Sequence, residues 1–434
     1  MVKLLNSLIN NIKKNTAVIA VLGLGHVGHP LASLFSNAGF PVIGYDIDKS
    51  VIRRYRKKIV IDGYQVSPNF TATNDPNKLK KANIYFITVP TPISKNNLPD
   101  LSFIISASET IASVLDREKL VILVSTAYPE TTETIVKPIL EKTGLNAGED
   151  FYLCYCPERF DLGNKRMKIE NTLHIVSGIN EKSRELAVLL YSKILGKNNV
   201  IPVSSLKIAE AVKILENVFR NINIALINEM AKIFEKMHID IWEVIKAAAT
   251  KPEGFLVHYP GPGVGGHCIP ITPHYLSYAA RKYDMDCRFV QLAEDINRSM
   301  PHHVVFLVKD VLKTRGIPLH EAKVTILGVT YKPNVSDARE SPAEVIIKGL
   351  MQEGADVYVF DPHTTEKFGG KPVKNIKEAI RGKNCLVLTV PHDEFKNIEK
   401  IINTINAKIC VVDTRNFIKS ELLKKSVVYR CLGK

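Results

Sequence analysis

Short apolar runs rich in β-branched residues recur through the first half of the chain: AVIAVL (17–22), VIGYD (42–46), IYFITV (84–89), LVILVS (120–125) and FYLCY (151–155). Continuous apolar runs of this length are what strands buried on both faces require. The segments between them have room for a helix, as parallel crossovers need. This predicts a doubly wound α/β domain running to about residue 200. From Lys207 to about Met237 the apolar spacing becomes helical, with Ser204 or Ser205 available as a cap. At 1.5 Å per residue this helix is about 45 Å long. It is apolar on more than one side, which predicts that it also meets a partner chain. A second helical stretch is expected over about 275–315.

A second α/β pattern begins with KVTILGVTY (323–331), passes through DVYVFDP (356–362) and LVLTVP (386–391), and ends near KICVVDTRN (408–416). In each α/β region the first strand–helix–strand unit ends on an aspartate, Asp46 and Asp361. The expected division is therefore 1–203, a central helical 204–318, and 319–434.

A chain of 434 residues suits about three domains of roughly 150 residues each. Its 24% charged and 45% apolar content is that of a soluble protein with real cores. The opening MVKLLNSLINNIKKNTAVIAVLGLG is broken by Asn and Lys every few positions. It therefore reads as neither a secretory signal nor a membrane span, and a cytoplasmic protein is expected. Seven scattered cysteines include no pair at zinc-ligand spacing, so reduced thiols and no metal are expected. Net charge is +14, but Lys and Arg are spread along the whole chain. The densest cluster, RRYRKK (53–58), reads as the solvated face of a helix. Such a field attracts an anionic small substrate, and nothing resembles a nucleic-acid module.

GLGHVG (23–28) fits G-x-G-x-x-G between a predicted strand and a helical pattern, and Asp46 ends the next strand at the expected spacing. Gly23 allows the turn, Gly25 lets a pyrophosphate approach the backbone, and Gly28 permits close helix packing. The helix N-terminus attracts the phosphates. Asp46 would take both ribose hydroxyls and repel a 2′-phosphate, which favours NAD over NADP.

Four further stretches carry candidate chemistry. In CPERFDLG (156–163), after a strand, Glu158 is either a general acid/base or a surface glutamate capping the strand. In AEAVKILEN (209–217), Lys213 and Asn217 share a helical face; an inward lysine could stabilise an oxyanion, and a surface pair with Glu216 is the alternative. GPGVGGHCIPITP (261–273) is either a tight bend before a buried thiol or the mount of a nucleophile, Cys268, with Lys213 a candidate to lower its pKa. YKPNVSDARESP (331–342) offers Lys332 and Arg339 to phosphates.

With these residues the chain resembles the nucleotide-sugar 6-dehydrogenases, the UDP-glucose/GDP-mannose dehydrogenase family. GLGHVG, VPTP (89–92), STAYPETTE (125–133), CPERF, AEAVKILENVFR, PGPGVGGHC, YKPNVSDARESP and VVDTRN (411–416) stand in family order through essentially the whole length. The resemblance implies two Rossmann-like doubly wound parallel-sheet domains, the first for NAD and the last for UDP-sugar, joined by a central helical dimerisation region. It implies a cytoplasmic homodimer or higher homo-oligomer with a place in polysaccharide biosynthesis. The implied chemistry is a four-electron oxidation of the sugar C6 alcohol to a carboxylate with two NAD. Cys268 would attack the aldehyde, Lys213 and Asn217 would stabilise the oxyanion, Glu158 would be the acid/base, and Thr126 would position water and cofactor. His26, Val27, Pro90, Thr91 and Arg339 would join Gly23, Gly25, Gly28, Asp46 and Thr126 around the cofactor. Glu158, Arg159, Phe160, Lys213, Asn217, Tyr259, Gly265, Lys332 and Arg415 would contact the UDP-sugar.

One position departs from the family pattern: many relatives carry Asp four residues after the cysteine, and here Thr272 stands there. A hydroxyl cannot set the charge state of Lys213 as a carboxylate would, so Glu158 alone is expected to serve as the base for hydrolysis. TKPEGFLVHYPGPGVGGHCIPITPHYL (250–276) and CPERF resemble the UDP-N-acetylhexosamine branch more than the UDP-glucose branch. TKPEGF, where the UDP-N-acetylmannosamine enzymes usually carry an HPR-type stretch, favours UDP-N-acetylglucosamine. The β-hydroxyacid dehydrogenases share a Rossmann domain and a K-x-x-x-N pair, but they need no cysteine and lack the third domain.

Overall fold

The computed structural model describes residues 2–56, 64–94, 96–160, 169–406 and 408–434. The end of the basic cluster, Lys57 and Lys58, and residues 161–163 of the CPERFDLG stretch lie outside the described residues. The chain forms two compact units. One is Met1–Glu216 with His274–Met285, and the other is Asn217–Pro273 with Asp286–Lys434.

The first unit is built on β1 (Ile19–Leu22), β2 (Val42–Tyr45), β3 (Phe70–Thr73), β4 (Ile84–Ile87), β5 (Leu120–Leu123), β6 (Tyr152–Tyr155), β7 (His174–Gly178) and β8 (Val200–Pro202), in the order β3-β2-β1-β4-β5-β6-β7-β8. Ile19 registers with Val42 on one side and Ile84 on the other, both in parallel. Strand order therefore reverses around β1, where open sheets bind their ligands. The predicted apolar runs supply β1, β2, β4, β5 and β6, all but entirely buried. Three further strands escape that reading. β3 is the half-polar FTAT with only Thr73 buried, β8 has three residues, and β7 pairs antiparallel with β6. The opening stretch forms the helix Val2–Lys13, whose Leu8 and Ile12 join Leu186 and Leu190 in the core. No helix among the described residues is long and apolar enough to cross a membrane.

The helix expected from Lys207 runs Leu206–Lys236, and the Ser205 hydroxyl accepts from the Ile208 N–H at 3.3 Å as its cap. The helical stretch expected over 275–315 is two helices, Thr272–Arg281 and Arg288–Lys313. They are separated where Asp284 takes φ +55°, a left-handed conformation that an α-helix cannot continue through.

The second unit carries β9 (Lys323–Leu327), β10 (Asp356–Phe360), β11 (Lys371–Pro372), β12 (Cys385–Leu388), β13 (Cys410–Asp413) and β14 (Val428–Cys431), in the order β11-β10-β9-β12-β13-β14 and parallel throughout. Again the first strand sits at a reversal. Val324 and Ile326 pack with Ile346, Ile347 and Leu350 of the helix Pro342–Gln352 and with Val304, Val308 and Leu312 of the helix Arg288–Lys313. Burying each such side chain contributes about 1.5–3 kcal/mol.

Candidate functional site

The glycine turn of the first unit begins where β1 ends. Gly23 takes φ +94°, and a Cβ there would press on the Thr88 carbonyl oxygen at 3.0 Å. The Thr88 hydroxyl donates to the Leu22 and Gly23 carbonyls at 2.9 and 2.8 Å, which fastens the turn to the end of β4. A side chain on Gly28 would land on the Gly23 carbonyl oxygen, so the helix Gly28–Asn37 can approach the strand only with glycine there. At Gly25 no heavy atom stands within 4 Å of where a Cβ would be. That open space lies at the start of a helix, whose first-turn N–H groups have no intrahelical acceptors. Asp46, half-buried after β2, accepts from the Leu24 N–H and the Asp48 N–H, both at 2.9 Å, one on each carboxylate oxygen. Each oxygen keeps a lone pair for a ribose hydroxyl. The cradle at Gly25 and the half-exposed Asp46 thus fit a dinucleotide. His26 is exposed and Val27 half-buried on this turn. Pro90 is exposed and Thr91 buried in the loop after β4. The Ser125 hydroxyl donates to the Val89 carbonyl at 2.7 Å and holds that loop beside half-buried Thr126.

Glu158 lies in the same unit just after β6 and is buried, 8% exposed. One of its oxygens accepts from the backbone N–H groups of Arg159 and Phe160 at 2.8 and 3.0 Å. It therefore caps its own turn, from a buried position rather than from the surface. Lys213 donates to the Glu158 backbone carbonyl at 2.6 Å, while Glu216 is paired with Arg159 at 2.5 Å. The surface pair of Lys213 with Glu216 does not form. An ammonium has three donors, and among the described residues Lys213 uses one of them. Phe160 and Arg159 are half-buried beside it.

The cysteine turn belongs to the second unit. Cys268 is exposed, whereas Cys154, Cys156, Cys385, Cys410 and Cys431 are buried. Burial pushes the Cys156 thiol up to about 12, an inert state. Three asparagines of the long helix hold the turn. Asn217 donates to the Thr272 hydroxyl at 3.1 Å, Asn221 to the Ile269 carbonyl at 3.5 Å, and Asn228 accepts from the Gly261 N–H at 2.9 Å. Asn228 in turn donates to Asn297 at 2.9 Å, and Asn297 to the Asn221 carbonyl at 3.2 Å. Asn217 was expected at the site; Asn221, Asn228 and Asn297 were not foreseen. Their signal was available: asparagine is a poor helix-interior residue, and four occur along the long helix, at 217, 221, 223 and 228.

The glycines of this turn make room for protein. A Cβ on Gly266, at φ +86°, would meet the Tyr331 ring at 2.7 Å, and one on Gly265 would meet the Glu340 carbonyl oxygen at 2.7 Å. One on Gly261 would fall on the Arg415 guanidinium. The loop is thereby pressed onto YKPNVSDARESP and onto Arg415. Burial lowers the Arg415 pKa to about 10, so it stays a cation at neutral pH. Among the described residues only its Nε donates, to the Thr389 carbonyl at 3.4 Å, which leaves the fork for an anion. Arg339, expected at the cofactor phosphates, has its guanidinium closed on Asp337, Nε to Oδ1 at 2.9 Å and Nη2 to Oδ2 at 2.6 Å. The Lys332 ammonium stands 5.5 Å over the Tyr331 ring, and exposed Tyr259 stacks on Trp242 at 5.8 Å.

His363, His392 and Glu394 bring ligand-type atoms within 4.8 Å of one another. However, Nδ1 of His392 accepts from the Asn334 N–H at 3.0 Å, so its proton sits on Nε2, which donates to Asp361 at 3.1 Å. No lone pair of His392 remains for a metal.

A glycine turn with a half-exposed carboxylate in one unit, and in the other an exposed thiol on a loop that packs at Gly261 on Arg415, fit a nucleotide-dependent dehydrogenase. Family models for the NAD-binding, central and UDP-binding domains of the UDP-glucose/GDP-mannose dehydrogenase family match residues 17–195, 207–299 and 325–420. The chain belongs to that family and is an NAD-dependent UDP-sugar oxidoreductase. It is 36% identical over 425 residues to the UDP-N-acetyl-D-mannosamine dehydrogenase of Methanococcus maripaludis, covering 94% of this chain and 95% of that one. It is 37% identical over 393 residues to the UDP-N-acetyl-D-glucosamine 6-dehydrogenase of Pseudomonas aeruginosa, covering 88% and 92%. Among solved structures, a UDP-D-ManNAc dehydrogenase from Pyrococcus horikoshii superposes with TM-score 0.86 at 33% identity, covering 96% of this chain and 99% of that one.

Proposed function

We propose that the chain oxidises the C6 alcohol of a UDP-N-acetylhexosamine to the carboxylate, and that UDP-N-acetylglucosamine is its substrate. Two hydrides leave C6 and one water supplies the second oxygen. NAD, bound at the Gly23–Gly28 turn with Asp46 on its ribose, supplies the hydride acceptor. After the first oxidation the Cys268 thiolate adds to the aldehyde carbon. The oxyanion that forms is stabilised by the Lys213 ammonium and by the Asn217 amide. Loss of the second hydride to a second NAD gives a thioester; Glu158 takes a proton from the water that attacks it, with Thr126 helping to place that water, and the C–S bond breaks to release the carboxylate and the Cys268 thiolate. Arg415 and Lys332 bind the diphosphate as cations, Arg339 reaches the cofactor phosphates by leaving Asp337, and Arg159, Phe160, Tyr259 and Gly265 contact the sugar nucleotide.

The exposure of Cys268 on a turn pinned at three points carries this reading. A thiol so mounted has no task in a single oxidation of the β-hydroxyacid kind. The same reading gives a cytoplasmic homodimer. Leu215, Phe219, Leu226 and Ile233 of the long helix, 44–68% exposed, offer an apolar surface to a second copy.

UDP-N-acetylglucosamine is favoured by TKPEGF ahead of the cysteine turn. A second reading, UDP-N-acetylmannosamine, is favoured by the names of the Methanococcus and Pyrococcus relatives. NADH formation from each purified epimer separates them: turnover of the manno sugar alone overturns the first reading.

A further inference from the structure

We infer that Thr272 is a positioning residue whose one hydroxyl sets both the turn presenting Cys268 and the orientation of the Asn217 amide. Thr272 is buried, 1% exposed. Its hydroxyl donates to the Cys268 carbonyl at 2.7 Å and accepts from Asn217 Nδ2 at 3.1 Å. Its backbone N–H donates to the same Cys268 carbonyl at 3.0 Å. The cysteine carbonyl thus receives two donors from one residue, and the backbone that carries the thiol can shift only if both break. The hydroxyl also decides which way Asn217 faces. With one N–H committed to Thr272, the amide cannot turn over, and its second N–H keeps a fixed direction.

The double role needs a hydroxyl. It donates once and accepts through two lone pairs, so it can face a carbonyl and an amide N–H together. A carboxylate only accepts, and would set lone pairs against the Cys268 carbonyl. Valine has the same shape and does neither. The departure from the family aspartate therefore exchanges a charge for a lock on the nucleophile's turn.

The catalytic consequence rests on the proposed function, while the lock itself is tested without it. The full-length protein and its Thr272→Val and Thr272→Ser variants are compared in two assays. The first is alkylation of Cys268 by iodoacetamide across pH, read by mass of the Cys268 peptide. The second is steady-state NADH formation with a UDP-N-acetylhexosamine. In T272V, kcat falls about 10- to 100-fold, as a misplaced reacting group predicts, with KM for both substrates within about twofold. The Cys268 alkylation profile departs from wild type in T272V, and T272S restores both readouts to within about threefold of wild type. A T272V enzyme with wild-type kcat and alkylation profile overturns the inference, as does a T272S enzyme no better than T272V. If T272V yields no folded protein, Thr272→Ala takes its place under the same criteria. If wild type oxidises no nucleotide sugar, the proposed function fails, and the alkylation profiles alone decide the positioning role.

Discussion

The two sheets carry the same turn, used differently. After β1 comes Gly23 at φ +94°, and after β9 comes Gly328 at φ +81°. In the first, the Leu24 N–H donates to Asp46 at 2.9 Å; in the second, the Val329 N–H donates to Asp361 at 2.6 Å. The Asp48 and His363 N–H groups reach the other oxygen of each carboxylate at 2.9 and 2.8 Å. Thr88 and Thr389, each opening a TVP after the neighbouring strand, donate to the paired carbonyls of Leu22 and Gly23, and of Leu327 and Gly328. The difference is what covers the aspartate. Asp46 is half-exposed and keeps lone pairs for a ligand. Asp361 is buried against His392, and the hydrogen bonds it receives outweigh its burial and hold it down at about 2. The helix Gly28–Asn37 also starts directly after the first turn, whereas Pro342–Gln352 starts only after YKPNVSDARES. One turn leaves a helix N-terminus and a half-exposed carboxylate accessible. The other keeps its carboxylate for the fold.

The largest effect should come from exchanging these aspartates for alanine. Asp361→Ala strands His392 and the backbone N–H groups of Val329, Thr330 and His363 and is expected to destabilise the protein by about 3–5 kcal/mol in urea unfolding. Asp46→Ala should cost about 1 kcal/mol and weaken NAD binding in calorimetry about 10- to 100-fold. A D361A protein of wild-type stability, or a D46A protein with wild-type NAD affinity, would remove the contrast.

A second buried carboxylate sharpens it. Glu210, in the first unit, accepts from Thr132 and the Glu130 N–H but faces no histidine, and burial raises it to about 7. Its proton is held more tightly folded than unfolded. The stability it lends is present in full below the ordinary 4.5 and is lost as pH rises through about 7. Asp361 has the opposite sign: its contribution is present above the ordinary 3.8 and is lost as pH falls toward about 2. Between pH 5 and 8 the wild type should lose roughly 2–3 kcal/mol relative to Glu210→Gln. Parallel pH dependences of melting in the two proteins would contradict this.

Gly328→Ala should destabilise by about 1–3 kcal/mol through its φ of +81° and the Val390 side chain 2.6 Å from the new Cβ. UDP binding should suffer while NAD binding by the free enzyme does not; loss of both would mean that the turns are not separable. Thr272→Asp should bring no gain in hydrolysis. In single turnover its thioester hydrolysis should not exceed wild type by tenfold or more, since a carboxylate there loses the lock without adding a base that Glu158 lacks.

Much of this was legible in the chain, and the rest was hidden for physical reasons. Strands buried on both faces announce themselves as unbroken apolar runs, so β1, β4 and β9 could be read directly, while FTAT at the edge could not. GLGHVG and Asp46 were legible because their partners are close in sequence. The locks were not: Asp361 meets His392, and Asn228 meets Gly261, only through the fold. The glycines before Cys268 left open a tight bend or a nucleophile's mount, and what they make room for is Tyr331 at Gly266 and Arg415 at Gly261. A glycine's sequence position cannot say which body comes close.

The central claim is that one active thiol carries the sugar through two oxidations. It is tested most directly by the number of NADH formed per UDP-N-acetylhexosamine consumed, in wild type and in Cys268→Ser. Two NADH per sugar in wild type, with the serine variant unable to complete the second oxidation, is the predicted result. One NADH per sugar, with Cys268→Ser fully active, would contradict it.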